Sequence, residues 1–201
     1  MSEALDQARR PGRPRSPAAD SAIMQATLEL LLDTGYRGLT MEQVRAMAGV
    51  GKATLYRRYG SKEELVAAAV RHLNQEIPVP DTGTVRDDIL AVAGSVLAAA
   101  ARVGAATLMP RMLAESAGDP EMQAIFYENL VAPRRAVMAA VLRRGVERGE
   151  LRPDLDVELA LDLITGPWVY RLLIAAGDAD ALLQVDPPRL LDLDLGGIAS
   201  P

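Results

Sequence analysis

Cysteine is missing from all 201 residues, which excludes disulfides, thiolate metal sites and a Cys nucleophile. Histidine occurs once, as His72, so no second imidazole exists to share a metal or complete a Cys/His pair. Aromatic residues make up only 3% of the chain, with one Phe and one Trp, although 49% of it is hydrophobic. The core must therefore come from Leu, Ala, Val, Ile and Met, a composition that favours helices over strands. No apolar run reaches the ~18 residues of a membrane span, and no charged–apolar–small leader pattern is present. A cytoplasmic protein without membrane contact is expected. Catalytic constellations are equally scarce. Gly145 and Gly149 on a helix make no phosphate loop, and the pairs Asp87/Asp88 and Asp154/Asp156 sit at helix starts, where carboxylates complement the macrodipole. The reading is of a protein that is not an enzyme and needs no metal or cofactor.

What is present is unevenly distributed. The net charge is −5, which taken whole argues against nucleic acid. Between residues 7 and 62, however, ten cations (Arg9, Arg10, Arg13, Arg15, Arg37, Arg45, Lys52, Arg57, Arg58, Lys62) face four anions, a surplus of six. Beyond residue 76, 11 Lys and Arg face 18 Asp and Glu, a deficit of seven. A basic head on an acidic body is the electrostatic footprint of DNA binding at one end.

Hydrophobic periodicity gives an all-α protein in two parts. The basic surplus and the motif in residues 40–62 make the first an N-terminal three-helix DNA-binding domain, and a larger C-terminal helical domain follows. Residues 1–16 lack periodicity and form a flexible basic arm. Its Arg13 and Arg15, on a proline-held extended backbone, fit a narrow minor groove. A first helix from Pro17 or Asp20 to Thr34 carries Ile23, Thr27, Leu30 and Leu31 on one stripe, and Gly35 ends it. Residues 62–76 read as a connecting helix. Pro78 and Pro80 then mark the boundary between residues 17–76 and residues 77–201. In the second part, helices are expected over residues 85–102, 105–116 (kinked at Pro110), 121–131, 133–148 and 155–176 (kinked at Pro167). The tail from residue 186 is either a short returning helix or a frayed end.

The stretch TMEQVRAMAGVGKATLYRRYGSK, residues 40–62, organises the chain. Thr40 with Gln43 forms a capping box, and Ser61 with Glu64 forms another. Val44, Met47 and Ala48 share an inward face. Gly49-Val50-Gly51 forms a turn that lets two short helices cross closely. On the second, residues 52–59, Leu55 and Tyr59 point inward, leaving Lys52, Thr54, Tyr56, Arg57 and Arg58 outside. This is a helix-turn-helix with donors suited to a DNA groove.

The segment AGVGKATLYRRYGSKEELV resembles the recognition-helix signature of the TetR family of bacterial transcriptional regulators. Ala48, Gly49, Val50, Leu55, Tyr56, Ser61, Lys62, Glu63 and Leu65 match it. Gly51 stands for the usual Ser, Arg58 for His or Tyr, and Tyr59 for Phe. The family pattern, applied to the residues found here, implies groove contacts from Lys52, Ala53, Thr54, Arg57 and Arg58. Phosphate contacts are expected from Tyr56 and, at helix N-termini, from Thr40 and Lys62. GPWVYRLL, residues 166–173, is similar to a stretch of one large C-terminal subgroup. The resemblance implies a homodimer built on the last two long helices, with Leu159, Leu163, Val169, Leu172 and Leu173 at the interface. It also implies a pocket for an unknown small-molecule effector, for which Met109, Met112, Leu113, Phe126, Leu130 and Trp168 are the candidates. An effector-released repressor on a near-palindromic double-stranded DNA operator is the resulting expectation. An activator or less specific DNA binder using the same motif, and a small-molecule carrier with a vestigial head, are the alternatives.

Overall fold

A computed structural model describes residues 17–74, 77–102, 105–170 and 187–196, and every regular element among them is helical. The arm with Arg13 and Arg15 lies outside them, as do Leu172 and Leu173.

The head is made of α1 (Pro17–Gly38), α2 (Met41–Met47), α3 (Lys52–Arg58) and α4 (Lys62–His72). α1 is interrupted at Gly35, whose φ of 73° is left-handed backbone, as a helix-terminating glycine requires. Thr40 caps α2 with both halves of the expected box. At Ser61 the reciprocal half is displaced by one residue. The Ser61 hydroxyl accepts from the Glu64 N–H at 3.2 Å, but the Glu64 carboxylate accepts from the Gly60 N–H at 2.8 Å. The turn between α2 and α3 needs only one of its glycines. Gly49 has a φ of 64°, whereas Gly51 is in ordinary extended backbone and caps α3 without a side chain. A side chain at either would meet open space or ordinary contact, so close helix crossing is not what these glycines provide. Val44 and Leu55 are fully buried as expected, but Met47 is 47% exposed. The inward stripe of α2 is therefore narrower than the pattern implies.

The body consists of α5 (Val85–Arg102), α6 (Ala105–Ser116), α7 (Pro120–Phe126), a π-turn (Tyr127–Val131), α8 (Ala132–Glu147), α9 (Val157–Tyr170) and α10 (Pro187–Gly196). Pro133 stands in the first turn of α8, close to the expected start, but α8 is not separated from α7 by a break. The chain runs helically from α7 into α8, with the π-turn between them. The cause lies in the sequence. Proline has no N–H and its ring crowds the carbonyl four residues back, here that of Asn129, and a π-bulge relieves that strain. The tail resolves as the returning helix α10, which seats Leu191 in the body core and pairs Arg86 with Asp192 at 2.6 Å.

Two apolar clusters hold the molecule. The second is wholly within the body, from Val85 and Ile89 through Met138, Val141, Leu142, Leu161 and Ile164 to Leu191. The first joins head residues Ile23, Leu31, Val44, Leu55, Leu65 and Val70 to Met112, Met122, Phe126 and Leu130. The head thus shares its core with α6, α7 and the π-turn. Helix–helix contacts of α1 with α6, and of α4 with α7 and the π-turn, carry this join.

A polar clamp fixes the segment entering α5. Asp88 is fully buried; it accepts from the Thr82 N–H at 2.6 Å and from Arg144 at 2.8 Å. Burial pushes its pKa up, but the hydrogen bonds from Thr82 and Arg144 outweigh this and hold it below the usual carboxylate range. Gly145 is needed here. A side chain on it would meet Val85 at 2.8 Å and Leu151 at 3.0 Å.

Candidate nucleic-acid interface

α3 turns Leu55 into the core and leaves Lys52, Ala53, Tyr56 and Arg57 in solvent, with Thr54 half-buried beside them. The Lys52 ammonium stands 5.7 Å from the Tyr56 ring centroid, the i, i+4 spacing that places a cation over an aromatic face. Neither Lys52 nor Arg57 reaches a carboxylate among the described residues. The outer face is thus a short run of uncommitted donors on a rigid helix.

Arg58 behaves differently from its neighbour. Its guanidinium is ion-paired to Asp20 of α1, and the side chain is only 11% exposed. It ties the recognition helix to α1 and is not presented on the outer face with Arg57. The 100° step between adjacent helical residues explains the divergence. Thr40 is likewise engaged. Its N–H and hydroxyl donate to the Gln43 side chain at 2.9 and 2.7 Å, and its hydroxyl oxygen accepts from the Gln43 N–H. Lys62 lies 4.5 Å from the Tyr36 ring centroid, with its ammonium 3.5 Å from the Arg37 carbonyl. The Tyr36 phenol donates to Glu63 at 3.3 Å, and burial, with the Glu63 charge second, pushes its pKa far up.

The head is also gripped from the body side. Arg111 of α6 donates to the carbonyls of Leu32 and Asp33 at 2.6 and 3.1 Å, completing the end of α1. Its neighbour Glu115 accepts the Tyr36 N–H at 2.6 Å and occupies the space that a side chain on Gly35 would need. On α4, Arg71 donates to the Asn129 amide oxygen at 2.6 Å, and the Asn74 amide donates to the carbonyls of Asn129 and Leu130 at 2.9 and 3.1 Å. Asn74 thereby replaces the donor that Pro133 withholds from Asn129. Arg134 completes the chain by donating to the Asn74 oxygen at 2.8 Å. None of these junction residues carries a local sequence motif. Gly35 and Pro133 were the only signals that something must meet the chain there.

The effector candidates do not converge on one cavity. Met112, Phe126 and Leu130 are buried in the shared core, with Leu113 against it. Trp168 is half-buried on α9, and the side chain of Met109 lies outside the described residues. The structure instead shows a cleft of about 720 Å³ between head and body, lined by α1, α4, Tyr59, Asn129 and Pro133. On α9, Leu159 (65% exposed), Leu163 and Val169 stand in solvent, and Tyr170 joins them. Ile164 on the same helix is buried in the chain's own core. Among the described residues no group of His, Asp or Glu could hold a metal, and no helix is long and apolar enough to cross a membrane.

A capped helix-turn-helix with a free, donor-bearing second helix on an α-helical body defines a DNA-binding transcriptional regulator. The comparisons place it more narrowly. Residues 23–69 match the family model for bacterial regulatory proteins of the tetR family, and residues 79–185 match the Tetracyclin repressor-like C-terminal domain. The chain belongs to the TetR family. It is 32% identical over 170 residues to the HTH-type transcriptional regulator YdeS of Bacillus subtilis, spanning 84% of this chain and 85% of that one. It is 31% identical over 182 residues to the DNA-binding transcriptional repressor TetR of Mycobacteroides abscessus, spanning 89% and 92%. A crystal structure of a TetR family transcription regulator superposes with a TM-score of 0.67 at 29% identity, covering 91% of this chain and 99% of that one.

Proposed function

We propose that this regulator is an effector-released repressor that binds a near-palindromic operator as a homodimer. The observation that carries the reading is the outer face of α3, where Lys52 and Arg57 are exposed and uncommitted while Arg58 beside them is held by Asp20. In this reading Lys52 and Arg57 meet guanine edges or phosphates, Ala53 and Thr54 allow close approach to a thymine methyl, and Tyr56 donates to a phosphate. Lys62 and the N-terminus of α2 at Thr40 flank the groove at the backbone, and the Arg13/Arg15 arm enters the neighbouring minor groove. The repressor name of the Mycobacteroides abscessus relative favours repression.

Two recognition helices need a dimer to span successive major grooves. The exposed stripe Leu159, Leu163, Val169 and Tyr170 supports α9 as the paired face, since apolar side chains at this spacing on one helix call for a partner. Leu172 and Leu173 would extend it. Effector binding would favour a dimer conformation with lower DNA affinity, a differential-affinity statement about two states.

The test is an anisotropy titration of purified protein against DNA upstream of its own gene, at several salt concentrations. Saturable binding to a short inverted repeat, falling steeply with salt, is expected. Equal affinity for random DNA would exclude an operator upstream of its own gene. Light scattering on Leu163→Arg is expected to give a monomer where the parent gives a dimer.

A further inference from the structure

Arginines in the body are generally neutralised. Arg111, Arg135, Arg144 and Arg148 each reach at least one carboxylate. Two arginines at the head–body junction depart from this. Arg71 and Arg134 are held only by amide oxygens, those of Asn129 and Asn74, and neither reaches a carboxylate among the described residues. Amide oxygens orient a guanidinium without cancelling its charge. Arg134 is sufficiently desolvated that its pKa falls to about 10. A desolvated cation without a carboxylate is costly unless something anionic joins it, and the exposed Arg71 stands on the same hydrogen-bonded chain at the edge of a cleft.

The cleft has room for such a partner. Its volume of about 720 Å³ falls within the ~300–1,000 Å³ of small-molecule sites. Arg71, His72, Asn74 and Asn129 form its polar wall, while Met24, Ala68, Pro17 and Pro133 provide apolar surface. Asp20 also lines it, but its charge is engaged by Arg58. Arg134 does not line the cleft; it donates to the Asn74 oxygen at 2.8 Å and so orients the amide that does. We propose that this cleft is a ligand site for an organic anion, a carboxylate or phosphate on an apolar body, with Arg71 as the binding residue and Arg134 as a positioning residue. That such a ligand acts as the effector rests on the repressor reading above. A ligand here would touch α1, α4 and the π-turn together, and so would bear on the head without passing through the body core.

The test titrates full-length protein, without DNA, by calorimetry with octyl phosphate, octanoate and 1-octanol, which share a chain and differ in the headgroup. One saturable site per chain for at least one anion is expected, with 1-octanol at least about tenfold weaker. Arg71→Gln is expected to weaken the anion about tenfold or more and leave 1-octanol unchanged, with Arg71→Lys recovering part of the loss. Arg71 is exposed, so this variant is expected to fold, and a thermal melt checks it. Arg134→Gln is expected to weaken the anion less. Preference for octyl phosphate or for octanoate identifies the headgroup. Equal binding of all three ligands, indifference to Arg71→Gln, or no saturable anion binding up to about 10 mM overturns the site. Repeating the operator titration with the anion present separates the two ideas. Arg71-dependent binding that leaves DNA affinity unchanged keeps the site and removes its role as effector.

Discussion

Arg57 and Arg71 are both exposed arginines on short head helices, yet their surroundings are opposite. Arg57 sits among Lys52, Ala53 and Tyr56 with no described partner, on a helix anchored from beneath by Leu55 and from the side by the Arg58–Asp20 pair. Arg71 is part of a chain of hydrogen bonds running from Asn129 through Asn74 to Arg134. The outer face keeps its donors free and relies on a rigid scaffold for their placement, which suits a ligand as large and fixed as a DNA groove. The junction uses its donors internally, with the head and α6, α7 and the π-turn sharing one apolar core. The contrast predicts that DNA contact and head–body coupling are separable by mutation, although both lie within a few helical turns.

The largest effect expected from this contrast is on DNA. Lys52→Ala with Arg57→Ala is expected to lower operator affinity roughly 100-fold or more, and to reduce the salt slope by about two. Its melting temperature is expected to match the parent's. A destabilised double variant would place these residues in the scaffold. Next comes the clamp below the junction. Asp88→Asn is expected to cost about 2 kcal/mol in a urea melt, less than a fully buried pair because Arg144 and Arg148 are each about a quarter exposed. The pH dependence follows from the lowered Asp88 pKa. Its stabilisation is complete above the unfolded carboxylate range near pH ~4 and is lost as pH falls through the lower folded value. The Asn variant is expected to lose that part of the acid-side slope.

A smaller effect is expected where α6 grips α1. Gly35→Ala must adopt φ 73° and clashes with the Glu115 carboxylate, so a loss of more than about 1 kcal/mol is expected. Arg58→Gln is expected to reduce DNA affinity less than about tenfold, because it loosens α3 on α1 without removing a groove contact. Should it equal Arg57→Ala, Arg58 must leave Asp20 to reach DNA.

Much of this was legible beforehand because it is local. Capping boxes, the Gly35 and Gly49 breaks and the apolar stripes of α1 and α4 depend on residues within a turn or two. The recognition signature spans residues 48–66 of one continuous segment. The polarity of the molecule, basic head on acidic body, needed only counting. The candidate contacts on α3 followed from helical spacing, apart from Arg58, whose partner Asp20 is 38 residues away. The pocket candidates had no comparable basis. Met112, Phe126 and Leu130 are apolar at helical spacing whether they line a cavity or fill a core, and most of the core they share is built from the head.

By itself, then, the sequence determined the helices, the helix-turn-helix and the family, since backbone periodicity and capping are set by neighbours along the chain. Only the tertiary structure decided which charges are spent and which stay free. Asp20 engages Arg58, Glu115 fills the space beside Gly35, and Asn74 supplies the hydrogen bond that Pro133 cannot. These pairings join residues 38 to 80 positions apart, where no local rule operates and only the packing of α1, α4, α6 and the π-turn brings the groups within reach.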